Sequence, residues 1–224
     1  MGKKRPNING KNVIGFDETY LFELMGDFVR NYSMLVTGYY WENYPGSHPT
    51  NEQYEAKGGI FTLKKSKSYR SDEEVKIRAT GYLRKHPNFL YSRIKREDLQ
   101  TRNPLIARAE AVTAITLRFF EEFNLSEKNT FVCSDMLVPK RATEEFNFLL
   151  KDFFRFSNLF KENYGEHVYF QGHADLYNRA CKTADRVGYH ILALKFRANK
   201  GKWPCRNRII HKEDYLELMV KRRF

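Results

Sequence analysis

Long apolar runs are missing from this chain. No stretch reaches the roughly 18 consecutive apolar residues that a membrane-spanning helix needs, so a spanning protein is not expected. The opening residues, Met1 to Lys11, are basic and polar with no apolar h-region behind them, so no secretory signal is expected. Cysteine is scarce. The three residues, Cys133, Cys181 and Cys205, show none of the close spacings that bind zinc or build a disulfide framework, and they read as reduced thiols in a cytoplasmic setting. Internal repeats and low-complexity segments are also absent, which excludes solenoid and fibrous architectures. Negative charge is in deficit: 27 acidic side chains stand against 39 lysines and arginines, for a net charge of +12. Such an excess favours a polyanionic partner, of which nucleic acid is the commonest.

What is present suits one α/β domain with embellishments, since the chain has 224 residues and domains of this kind run to about 100–200. A basic lead over residues 1–11, a domain over 12–199 and a basic extension over 200–224 are expected. The run Val13, Ile14, Phe16 ends at Asp17-Glu18-Thr19, as a buried strand that delivers acids to its exit would. Residues 28–41 are rich in β-branched and aromatic side chains and predict a second strand. Residues 43–51, with Pro45, Gly46 and Pro49, predict a loop. Residues 58–70 predict a short strand running into a basic turn, and residues 72–99 predict short helical stretches.

The clearest helix begins at Asn103, which can cap it, with Pro104 at the first helical position, where its missing N–H costs nothing. Leu105, Ala109, Val112, Ile115, Phe119 and Phe123 recur at helical spacing. An apolar strand over 130–138 carries Asp135. An amphipathic helix over 143–162, a short strand over 167–171 and a helix over 178–197 follow. Strands alternate with helices in this second half, which predicts parallel pairing there after an antiparallel start. The expected fold is α/β, a mixed sheet of about five strands flanked by helices.

The acids form the candidate site. Asp17 and Glu18 close one strand, Asp135 sits late in another, and Asp175 and Asp185 follow the last strand. Carboxylates gathered from separate elements repel one another unless a cation neutralises them. Hard oxygen ligands select Mg²⁺ or Mn²⁺, and two such ions about 3.5–4 Å apart can activate a water against a phosphodiester. Adjacent strand residues face opposite sides, so Asp17 and Glu18 share one site only if the strand bends or ends there. Asp17 and Asp135 are expected on adjacent strands and on one face.

Here a resemblance enters. The pattern resembles the ribonuclease-H-like superfamily, and within it the uncharacterised domain of unknown function 3800 family of bacteria and phages. That family opens with a strand ending in Asp-Glu-Ser-Gly, has a mid-chain strand with Asp, and closes on a helix with Gln-x-Ala-Asp. The corresponding segments are Phe16-Asp17-Glu18-Thr19, Phe131-Val132-Cys133-Ser134-Asp135 and Cys181-Lys182-Thr183-Ala184-Asp185. Tyr20 stands where the family has Gly, and Lys182 where it has Gln. The resemblance implies Asp17, Glu18, Asp135 and Asp185 as the catalytic set. The chain is also similar to type 2 ribonuclease H, which begins with Asp-Glu and ends with Ala-Asp. There His173-Ala174-Asp175-Leu176-Tyr177 would supply the last acid, although the Gly-Arg-Gly that follows Asp-Glu in that enzyme is lacking.

Other candidates are weaker. Glu110, inside the Asn103 helix, could be a further metal ligand, although a partly exposed helix residue is the plainer reading. His173 and His190 could shuttle protons. Lys64, Lys65, Lys67 and Arg70 surround Tyr69, and Lys200, Lys202, Arg206 and Arg208 surround Trp203. Cations interleaved with aromatics suit phosphate contact and base stacking. The sequence therefore predicts a Mg²⁺-dependent nuclease acting on DNA, RNA or hybrid. The alternative is a catalytically silent nucleic-acid-binding or partner-binding protein on the same fold.

Overall fold

A computed structural model describes residues 6–25, 28–46, 71–101, 103–137, 140–199 and 201–221. Five strands form one sheet: β1 (Asn12–Met25), β2 (Phe28–Trp41), β3 (Phe89–Ile94), β4 (Thr130–Asp135) and β5 (Val168–Gln171). Their order is β3-β2-β1-β4-β5. The first three pair antiparallel, and β4 and β5 add in parallel beyond β1. This is the expected mixed sheet, antiparallel at its start and parallel in its second half.

The helices are α1 (Asp72–Lys85), α2 (Arg96–Thr101), α3 (Pro104–Glu122), α4 (Lys140–Phe156), α5 (Tyr164–His167), α6 (Ala174–Tyr177), α7 (Arg179–Ala193) and α8 (Glu213–Lys221). α3 starts where its sequence requires, with the Asn103 side chain accepting from the Leu105 N–H at 2.9 Å and Pro104 in the first turn. α7 is capped likewise by Asn178, whose side chain accepts from the N–H groups of Ala180 and Cys181. α7 then passes into a π turn over Leu194–Ala198, close to the predicted helix end. No helix among the described residues is long and apolar enough to cross a membrane.

The sheet separates two layers. On one side, Ile14, Phe16, Val36 and Leu90 pack against α3, with α4 and α8 completing the largest core cluster. On the other, Leu35, Tyr39 and Tyr91 meet α1 and α7 through Ala79, Ala184, Val187 and Ile191. The close approach of α7 depends on Gly15. A Cβ there would lie 2.3 Å from backbone atoms of Ala180 and Cys181, so only glycine lets the first turn of α7 rest on β1.

One strand lies where none was predicted. The third strand of the sheet is β3, within the stretch read as short helical segments, which in fact holds α1, β3 and α2. Phe89, Leu90 and Tyr91 are all at most 3% exposed. A strand buried on both faces shows no alternation, and its short apolar run cannot be told from a helix by periodicity. The strand expected within 58–70 lies outside the described residues. The chain beyond Gly201 enters the core: the Ile210 N–H bonds the Tyr91 carbonyl at 2.9 Å, and Tyr215, Leu218 and Met219 of α8 pack in the α3 layer.

Candidate functional site

Backbone pairing between β1 and β4 runs from Asn12 opposite Thr130 to Gly15 opposite Cys133. Asp17 and Asp135 each stand two residues further on. Alternation therefore puts both on the face of Gly15 and Cys133, the face that α7 covers. Thr37, the cross-strand partner of Asp17, marks the same face, because a Cβ on Gly188 of α7 would lie 2.9 Å from the Thr37 Oγ1. Asp135 is half-buried, and its Oδ1 accepts from the Met136 N–H at 2.8 Å and the Ala174 N–H at 3.3 Å.

Glu18 turns the other way, toward α3. There it meets Arg108, a residue that sequence reasoning passed over. Arg108 is 1% exposed. Its Nη2 and Nε lie 2.6 and 2.7 Å from the Glu18 Oε1, and its Nη2 donates to the Ser134 Oγ at 3.0 Å. The guanidinium also lies 4.2 Å from the centre of the Phe146 ring, a cation–π contact. Burial lifts the Glu18 carboxyl above the usual carboxylate range. The Arg108 charge and hydrogen bond draw it back, and the nearby Asp135 charge adds to the rise. The signal was legible in retrospect: Arg108 falls on the stripe Leu105, Val112, Ile115, Phe119, where a charged side chain needs a buried partner.

The two candidates for a closing acid occupy different elements. Asp175 follows Ala174 in α6, the residue whose N–H reaches Asp135. Asp185 is half-buried in α7, one turn after Cys181 and three residues before Gly188. The Asp17 charge acts on the Cys181 thiol, and Gly188 abuts Thr37, so the α7 stripe carrying Asp185 crosses the sheet beside Asp17. The charge of Asp185 also acts on Tyr82 of α1. Among the described residues no three His, Cys, Asp or Glu side chains converge as a metal site.

The chemistry of the donors on this face suits a hard cation. Burial and the neighbouring Cys133 push the Cys181 thiol well above its ordinary range, which disfavours the thiolate that a soft metal takes, whereas the carboxylate oxygens are hard donors. Glu110 is not brought to them. It lines a groove between α3 and α8 with Leu149, Asp152, Phe153 and Tyr215, in the layer on the opposite side of the sheet from Asp17 and Asp135.

Of the basic candidates, Lys64, Lys65, Lys67, Arg70 and Lys200 lie outside the described residues. Lys202 and Arg206 are exposed. Arg208 pairs with Glu122. Trp203 is half-buried, tilted against Tyr91 with ring centres 6.0 Å apart and flanked by Lys195 and Arg93 at 4.2 and 5.6 Å. Trp203 thus packs against β3, with cations from β3 and the π turn beside its ring.

The histidines divide. His173 is exposed, at φ 54° before α6. The Tyr82 ring lies between His86 and His190, each 4.4 Å away, where α1 meets α7. Burial first, then Arg186 and His86, lowers His190 to about 4 from 6.5. Burial, Arg186 and Lys85 lower His86, and Tyr39 of β2 and Tyr189 of α7 complete the surroundings. A depressed histidine binds fewer protons folded than unfolded. The stability it carries is therefore present above pH 6.5 and is lost as the pH falls toward 4. His190→Gln is expected to narrow the stability difference between neutral pH and the acid end of that window by about 2 kcal/mol, discounted for partial exposure. Urea melts at the two pH values measure it, and an unchanged difference would refute it.

No family model matches the sequence, and no curated protein matches it. Among solved structures, the chain is similar to a point mutant of Bst-RNase HIII at 11% identity and a TM-score of 0.45, covering 84% of this chain and 56% of that one. It is also similar to the ribonuclease H2 from Pyrococcus horikoshii OT3 at 16% identity and a TM-score of 0.41, covering 95% of this chain and 88% of that one. The chain thus spans little more than half the length of Bst-RNase HIII.

Proposed function

We propose that this protein is a metal-dependent nuclease of ribonuclease-H-like type, cleaving phosphodiester bonds in nucleic acid. The observation that carries the reading is the pair of carboxylates, Asp17 and Asp135, on adjacent parallel strands and on one face of the sheet, just past the last backbone pairing between those strands. Two acids so placed repel each other without a cation. In this reading Asp17 and Asp135 are the central ligands of Mg²⁺ or Mn²⁺, and Asp185 or Asp175 completes the set. Bound there as a pair, such ions supply an activated water and neutralise charge on the leaving oxygen. Glu18 acts from beneath, holding its strand through Arg108. Lys202 and Arg206, together with Lys64, Lys65, Lys67, Arg70 and Lys200, supply phosphate contacts on a chain of net charge +12.

A second reading, a silent binder of nucleic acid, is favoured by one observation: Asp135 accepts two backbone N–H groups, as a purely structural aspartate does. One experiment separates the readings. Labelled single-stranded DNA, single-stranded RNA and RNA–DNA hybrid are incubated with the protein in Mg²⁺, in Mn²⁺ and in EDTA, and binding is followed from about 50 to 200 mM salt. The nuclease reading expects cleavage in metal, none in EDTA, and affinity that falls steeply with salt as counterions are released. Salt-dependent binding without cleavage supports the silent binder. No binding at the lowest salt refutes both.

A further inference from the structure

The two acid-bearing strand ends are each held on their outer side. Asp17 pairs with Thr37 of β2, and Asp135 pairs with Gln171 of β5, with the Met136 N–H bonding the Gln171 carbonyl at 3.2 Å. Between them the ladder stops at Gly15 opposite Cys133. Past that point no β1–β4 backbone pair fixes the separation of the two acids. Arg108 crosses that gap from below. One guanidinium binds Glu18 of β1 and Ser134 of β4, the residues directly beside Asp17 and Asp135. It is itself held by the Phe146 ring of α4 and almost wholly excluded from water.

We propose that Arg108 is the positioning residue of the metal site, a buried clamp that fixes the spacing of Asp17 and Asp135 from the opposite face of the sheet; this rests on the nuclease reading above. Guanidinium suits the task because its planar fork offers several donors in fixed directions, so a single group can bind acceptors on two strands. Lysine offers one ammonium and would keep the charge while surrendering the fork. The clamp also explains why a charge occupies the apolar stripe of α3. A buried pair of this kind is weak evidence for stability, so its placement beside both acids points to geometry.

Ser134→Ala tests this most cleanly. It removes the β4 end of the clamp and leaves every charge, the Arg108–Glu18 pair and both acids in place. Mn²⁺ binding by titration calorimetry and exchange of the Met136 amide by NMR are measured for the whole chain. The proposal expects Mn²⁺ affinity about tenfold weaker, in the range that outer ligands of metal sites command. It also expects faster exchange at Met136 and a melting temperature within a few degrees of wild type. The paired variant Arg108→Met with Glu18→Gln removes both charges together and should weaken Mn²⁺ at least as much. Arg108→Lys should fall between wild type and the paired variant. Unchanged Mn²⁺ affinity in Ser134→Ala and in the paired variant overturns the positioning role, whatever happens to exchange. Failure of the nuclease reading is distinct, because it shows in the wild type: Mn²⁺ then fails to bind, or binds equally to Asp17→Asn, and the positioning role falls with it.

Discussion

Asp17→Asn should abolish cleavage and leave the fold intact. The expected loss is on the order of a hundredfold or more, since even residues that only support a metal ligand cost about 10–100-fold. Asparagine nearly matches aspartate in shape but is neutral, so it is a poor partner for Mg²⁺. Asp17 sits on the α7 face with Asp135, two residues past the last β1–β4 pair, and removing one of two like charges relieves repulsion. The melting temperature without metal should therefore be equal to or above that of wild type. The rise on adding Mg²⁺ should shrink, because a ligand stabilises the folded state only in proportion to its occupancy. Asp135→Asn should lose activity too, with a structural cost from its two backbone bonds. Of Asp185→Asn and Asp175→Asn, the inactive one identifies the closing acid, and we favour Asp185. Nuclease assays beside thermal melts with and without Mg²⁺ decide the matter. Full activity in Asp17→Asn would end the metal-site reading, and outright unfolding would make Asp17 a structural residue.

Arg108→Met carries the largest expected effect on stability. Breaking a buried ion pair by removing one partner costs roughly 3–5 kcal/mol, because the other charge is left stranded. Here the stranded group is Glu18, with 8% of its side chain exposed. Its carboxyl already lies above the usual range through burial, and Arg108 is what draws it back. Without Arg108 it rises further. A carboxyl whose folded value lies above its unfolded one contributes stability that is full below the unfolded value, 4.5, and lost as pH rises through the folded one. The deficit of Arg108→Met relative to wild type should therefore be larger at pH 8 than at pH 5. Adding Glu18→Gln should recover most of it and remove its pH dependence. Urea denaturation at both pH values measures this. A deficit under about 1 kcal/mol at pH 8 would show that the pair is relaxed and hydrated in solution.

By itself, the sequence determined those features that depend on neighbours along the chain. The Asn103 cap with Pro104, the β-branched run over residues 28–41, and the apolar strands ending at Asp17 and at Asp135 each follow from local steric preference and spacing. From them came the mixed sheet with its antiparallel start. Four matters were decided only by tertiary structure. β3 became a strand because β2 on one side and the buried layers above and below gave Phe89, Leu90 and Tyr91 partners, and burial on both faces erases the alternation by which a strand is read. Asp17 and Glu18, adjacent in the chain, went to opposite faces because β1 continues as a strand through them toward Met25. Arg108 found Glu18 across 90 positions of sequence, and Trp203 found Tyr91 rather than solvent. A charge on an apolar stripe announces that a partner exists; which partner it is depends on which strands the sheet brings beneath the helix, and that is a property of strand order, which no local pattern carries.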